Sequence, residues 1–163
     1  MKRYLLLALV ATFYFYGCSC CNNTSMQEVS IEEAKNLKIE LRKSECYGKC
    51  PAYFMTMKNG VMKLNAVSNM PKVGMFDIKL NEKEIIELYS NAIEGNVFQN
   101  PDEEKYDQMI TDLPFSKMTL DLNDSSKTIH YRSNAPKSIK KIDIAIEKII
   151  ADTNRYEDRL EEE

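Results

Sequence analysis

The chain has 163 residues and a formal charge of −3 at neutral pH, from 22 Lys and Arg against 25 Asp and Glu. An acidic chain whose only grouped cations are Lys137, Lys140 and Lys141 is a poor match for nucleic acid, because phosphates need clustered Lys and Arg. One His, no Trp and five Cys point to no catalytic class, and the length allows one domain with a single core.

The N-terminus comes first and is the most informative stretch. Lys2 and Arg3 precede an apolar and aromatic run over residues 4–16, interrupted only by Thr12, and then Gly17 and Cys18. A basic start, a short apolar stretch and a small residue before the cut describe a bacterial secretion signal. The cysteine straight after Gly17 makes residues 1–17 look like a lipoprotein signal, with Cys18 as the lipidated, palmitate-bearing first residue of the mature protein. The apolar stretch is about 13 residues, short of the roughly 20 that span a bilayer as a helix. Phe15 stands where such signals usually carry Leu, so an ordinary cleaved signal or an uncleaved anchor stays open. Ser19 in place of Asp resembles the pattern of outer-membrane lipoproteins that face the periplasm. The expected partners are therefore the membrane, through the lipid anchor, and an envelope protein or cell-wall component. Loss of Lys2 and Arg3 takes the charge from −3 to −5.

Residues 18–35 are polar and read as a flexible tether. Cys20 and Cys21 lie within it, and their fate is undetermined. A single domain is expected over residues 36–151, followed by an acidic tail over 152–163 whose end from Glu157 to Glu163 frays.

Within the domain, Leu37, Ile39 and Leu41 alternate with Lys38, Glu40 and Arg42, the pattern of a half-buried strand. Residues 46–51 form a turn. Residues 53–66 with Asn59-Gly60 at their centre carry the strongest short-range hairpin signal. A two-residue loop sets Lys58 against Val61, Met57 against Met62, Met55 against Leu64 and Tyr53 against Ala66. The last three pairs share one apolar face, and Thr56 faces Lys63 on the other. Residues 73–80 form another strand. Asn81 caps a helix, Glu84 completes a capping box, and Ile85, Leu88, Tyr89 and Ala92 line its apolar side as far as the stop at Gly95. Residues 98–111 read as an acidic loop. Met118, Leu120 and Leu122 form a strand that turns at Asp124-Ser125 and returns through Ile129 and Tyr131, with Leu120 facing Ile129 and Met118 facing Tyr131. Pro136 opens a long helix with Ile139, Ile142, Ile146, Ile149 and Ile150 as its buried stripe. The whole reads as an α+β fold: an antiparallel sheet of five to six strands built from hairpins, with two helices packed on one face.

Four groups of residues were candidates for chemistry. Cys46 and Cys50 are separated by three residues rather than the two of a thioredoxin-type site, and Pro51 disfavours helix at Cys50. They read as a structural disulfide clamping a turn. Closing a loop of about five residues stabilises by roughly 2 kcal/mol in the chain-entropy model. A small thiol-redox protein using Cys46 and Cys50 is the alternative function, and a reduction potential well below about −300 mV would rule it out. His130, the single histidine, is expected opposite Thr119 on the polar face, beside Asp121 and Thr128, with no nucleophile at hand. Met55, Met57 and Met62 raise Cu(I), yet they also complete the inner face of the first hairpin and read as core. Asp102, Glu103, Glu104 and Asp107 lack the spacing and central glycine of an EF-hand loop. No catalytic residue, metal site or cofactor is assigned.

The stretch Cys46-Tyr47-Gly48-Lys49-Cys50-Pro51-Ala52-Tyr53 resembles the Cys-aromatic-Gly-x-Cys-Pro-x-Tyr signature of an uncharacterised bacterial domain-of-unknown-function family, which leads into an Asn-Gly or Asp-Gly hairpin. Tyr106, Thr111-Asp112-Leu113-Pro114 and Pro136 with its helix resemble the same family, so the likeness spans residues 37–150. It implies one small domain, often secreted or lipid-anchored, with the cysteines as a structural signature. It brings no catalytic residue. The function expected is that of a cell-envelope lipoprotein with a non-catalytic binding or structural domain.

Overall fold

The structure is a computed structural model, and it describes residues 29–99 and 112–159. The elements in order are α1 (Ile31–Lys35), β1 (Lys38–Lys43), β2 (Ala52–Lys58), β3 (Val61–Ser68), β4 (Gly74–Lys79), α2 (Glu82–Glu94), β5 (Ser116–Leu122), β6 (Ser125–Tyr131), α3 (Lys137–Ala151) and β7 (Glu157–Asp158). The strands form one antiparallel sheet in the order β6-β5-β1-β2-β3-β4-β7. The signal, Cys18, Cys20, Cys21, the tether as far as residue 28, the acidic run with Tyr106 and Thr111, and the last four residues lie outside the described part.

Alternation decides the layers. Ile39, Leu41, Met55, Met57, Met62, Leu64, Ile78, Met118, Leu120 and Ile129 point to one face and are fully buried. Ile85, Leu88 and Ala92 of α2 and Ile139, Ile142 and Ile146 of α3 join them in the same core. The three methionines of the first hairpin are thus core residues.

The first hairpin has the expected register at every pair, from Lys58–Val61 to Tyr53–Ala66. Asn59 and Gly60 both take positive φ, 53° and 75°, as a type I′ turn requires. The capping box of α2 is present: Asn81 Oδ1 accepts from the Glu84 amide at 3.0 Å, and Glu84 Oε2 accepts from the Asn81 amide at 2.9 Å. Gly95 is the C-cap of α2 with φ −78°, the left-handed residue being Asn96 at φ 48°; glycine is required at 95 because a Cβ there would collide with Ser138 of α3 and the Asn91 carbonyl.

Three expectations need correction. The second hairpin turns at Asn123-Asp124, one residue earlier than expected, with Asn123 at φ 51°. Met118 therefore faces Ile129, Ser116 faces Tyr131, and Leu120 faces Lys127. A shift of two residues keeps every side chain on its face, which is why the core assignment survives. The second correction is at the N-terminal side. The last residues of the expected tether are helical: Ser30 Oγ accepts from the Glu33 amide at 3.1 Å, Ala34 is buried, and the Tyr89 hydroxyl donates to Glu33 at 2.6 Å. The third is the C-terminal tail, expected to fray from Glu157, of which residues 157–159 are held against the sheet. Arg155 clasps Glu84 at 2.6 and 2.9 Å, the Tyr156 ring lies 4.7 Å from Phe76, and β7 pairs with β4. These two segments raise the expected five to six strands and two helices to seven and three.

Candidate functional site

At the end of the sheet where β1 runs into the cysteine loop, two polar rows lie back to back. The inner row is read across four strands as Tyr131, Ser116, Lys43 and Tyr53. It continues the core side of β1, where Ile39 and Leu41 are followed by a lysine. Helix α3 lays Asp143 and Glu147, one turn apart, over that lysine. Lys43 Nζ sits 2.8 Å from Asp143 and 2.5 Å from Glu147, and its side chain is 10% exposed. The ammonium also stands 6.0 Å from the centroid of the Tyr53 ring.

Burial dominates the ionisation of this row. It pushes the Tyr53 and Tyr131 phenols up, and the negative charge of Asp143 pushes both further. Burial also raises the Asp143 carboxyl, while Lys43 pulls it back. Neither tyrosine hydroxyl makes a hydrogen bond among the described residues. Asp143 and Ser116 are near enough to influence the Tyr131 phenol but not aligned to bond it. The phenols stay neutral, and the lysine is paired twice with carboxylates that both come from α3. It fastens α3 to the sheet.

The outer row is one residue over on each strand: His130, Lys117, Arg42, Phe54 and Asn65. Arg42 and Lys117 are exposed and stand directly opposite each other on β1 and β5. Neither has an ion-pair partner among the described residues. Phe54 is 42% exposed and Val67 54%. With Arg42, Ser44, Glu45 and Asn65 they line an open cleft of about 760 Å³. Glu45 is the acidic side chain of that lining, and it accepts from Ser68 Oγ at 2.7 Å.

The cysteine loop borders the cleft. The sulfurs of Cys46 and Cys50 lie at bonding distance, with Cα atoms 5.6 Å apart. The Ser44 amide donates to the Phe115 carbonyl and the Phe115 amide to Ser44 Oγ, both at 2.9 Å, while Asn69 Nδ2 donates to the Cys50 carbonyl at 3.1 Å. Tyr47, at the tip, is 93% exposed. No helix starts at either cysteine, so the loop lacks the helix N-terminus that activates thiols in oxidoreductases.

A family model for a domain of unknown function, DUF6438, matches residues 37–150. The chain belongs to the DUF6438 family. No curated protein matches it. The DUF6438 span opens just before β1 and closes near the end of α3, so it holds both rows and both cysteines, while α1 and β7 are additions outside it.

Of the residues singled out from the sequence, Cys46 and Cys50 come together, and Cys18 is outside the described residues. His130 faces Lys117 rather than Thr119, and its ring meets Phe115 edge-on at 5.3 Å. Sequence reasoning missed Lys43, Asp143, Arg42, Lys117 and Phe54. A lysine at a core-facing position of β1 was the available signal for the first of these.

Proposed function

We propose that this DUF6438 protein is a cell-envelope lipoprotein, anchored through lipid on Cys18, whose domain binds an envelope component and performs no catalysis. The pattern Lys2-Arg3, apolar run, Gly17-Cys18 supports the anchor; Ser19 in place of Asp supports the outer membrane, and the lack of an acidic run directly after it supports the periplasmic side. One observation carries the binding reading: a clamped loop holds Tyr47 in solvent beside a cleft that exposes Phe54, Val67 and Arg42. Aromatic and arginine side chains on a rigid frame are the groups that dominate binding surfaces. Behind them the buried Lys43 is paired with two carboxylates of α3, which favours recognition over reaction as the use of this end of the sheet.

Two measurements test the reading. The full chain is expected to partition into detergent and carry an acyl group, and Cys18→Ser to lose both; an unmodified Cys18 in the mature protein would overturn the anchor. A photo-crosslinker at Tyr47 in intact cells is expected to capture an envelope component, whereas one at Ile144, also solvent-facing on α3, captures none. Equal capture at the two positions, or none at Tyr47, would overturn the binding site.

A further inference from the structure

We propose that the outer row is a subsite for an acidic polysaccharide, with Arg42 and Lys117 taking the sugar carboxylates and Phe54 stacking on a sugar ring. The proposal rests on the binding reading above and names its ligand class.

Charge is the first reason. Cations directly opposite each other on neighbouring strands repel, so such pairs are normally offset by a nearby acid. Here the acids of the open face are engaged elsewhere. Glu40 and Asp121 both pair with Lys38, at 2.6 and 3.6 Å, and Asp77 pairs with Arg159 at 3.6 Å. The sheet places Lys38, Arg42, Lys58, Lys63, Lys79 and Lys117 on this face against Glu40, Asp77, Asp121 and Glu157, the last of which pairs with Lys79 at 3.0 Å. A chain of net negative charge thus gathers cations on this face, and Arg42 and Lys117, with no ion-pair partner among the described residues, are open to a ligand's carboxylate.

Shape and chemistry select the ligand. Arg42 presents a planar fork that matches a carboxylate through two parallel hydrogen bonds. Its neighbour in the row is Phe54, and beyond that Asn65, whose amide can both donate and accept. The C–H face of a pyranose carries the partial positive charge that suits the negative face of an aromatic ring. A flat row of cation, aromatic and amide therefore fits a ring that bears both hydroxyls and a carboxylate. A bare acidic peptide would use the cations and leave the ring idle. The cleft, about 760 Å³, is lined by Arg42, Phe54 and Asn65, with Lys117 outside the lining but opposite Arg42 on β5; it falls in the range of small-ligand sites and is open to solvent.

The test is native electrophoresis of the detergent-solubilised full chain in gels containing polygalacturonate, neutral dextran or polyglutamate. Retardation is expected in polygalacturonate, weaker at high salt, with none in dextran and at least tenfold weaker retardation in polyglutamate. Arg42→Thr and Phe54→Thr, each checked for an unchanged circular-dichroism spectrum, are expected to weaken polygalacturonate binding roughly tenfold or more. Equal retardation by polyglutamate, or full binding by Phe54→Thr, would overturn the sugar in favour of an acidic protein segment. No retardation by any polymer would overturn the subsite outright, while capture at Tyr47 would still stand and keep the broader binding reading separate.

Discussion

The two rows at the cysteine-loop end of the sheet are built from adjacent residues: Lys43 and Arg42 on β1, Tyr53 and Phe54 on β2, Ser116 and Lys117 on β5, Tyr131 and His130 on β6. Each places a cation beside an aromatic. Inside, the cation meets two carboxylates from α3 and the aromatics are sealed. Outside, two cations face each other with no ion-pair partner among the described residues, and the aromatic is partly exposed. Charge that is neutralised within the molecule holds a fold together; charge left over has to be answered from outside. The contrast therefore separates the half of this region that serves stability from the half that serves recognition.

The largest expected effect falls on the inner row. Lys43→Met removes the cation that pairs with both Asp143 and Glu147, and breaking a buried pair in this way costs about 4 kcal/mol. The sign of its pH dependence follows from Asp143. Its carboxyl is raised above 3.8 in the folded state, so the folded form holds a proton more readily than the unfolded form. That contribution is present at low pH and is lost as pH rises through the folded value. Without Lys43, which pulls the carboxyl down, the raised range extends further. Urea midpoints for Lys43→Met are expected to rise from about pH 8 to about pH 5, more steeply than for the wild type. That window spares Glu84, which Arg155 holds below its ordinary value and whose contribution is lost only at lower pH. A variant as stable as the wild type would mean that the inner row does not fasten α3.

The cysteine loop joins the rows, since β1 leaves through Ser44 and β2 begins at Ala52. Cys46→Ser combined with Cys50→Ser is expected to lose about 2 kcal/mol, the chain-entropy value for a five-residue loop. Reductant should lower the wild-type urea midpoint to that of the double variant and leave the variant unmoved. Crosslinking from Tyr47 should fall with it, while the pH response tied to Asp143 stays, because Lys43 is held by α3 and the sheet rather than by the loop. A midpoint indifferent to reductant would separate the clamp from stability.

How much of this was legible in the sequence differs between the hairpins. In the first, Asn59-Gly60 is the one site where two consecutive residues accept positive φ cheaply, and the apolar pairs allow one register. In the second, Asn123, Asp124, Ser125 and Ser126 are all turn residues, so the loop can slide by two without exposing the core. The slide preserved the buried set and hid the outer row, because it paired His130 with Thr119 instead of Lys117. The sheet order added a second obstacle. That β5 lies beside β1 is a long-range pairing with no local signal, and it alone brings Lys117 against Arg42. The α1 and β7 segments were missed for a related reason: their polar composition suggests slack, and their order comes from single tertiary contacts such as Arg155 with Glu84.

The smallest expected effect is the sharpest test of the contrast, because its sign is opposite. Arg42→Thr and Lys117→Thr each relieve the cross-strand repulsion, so each is expected to leave stability unchanged or raise it by up to about 0.5 kcal/mol. Threonine is itself a good strand residue, and part of any gain comes from that preference. The double-mutant cycle removes this ambiguity. If repulsion is the cause, the second substitution gains less than the first, since the pair is already broken, and the coupling term isolates the interaction from the propensity. Urea unfolding of the four proteins measures it. Loss of more than about 1 kcal/mol in either single variant would show that the outer cations are internally compensated after all. A gain, together with weakened polygalacturonate binding in Arg42→Thr, is the pattern of a surface that gives up stability for a ligand.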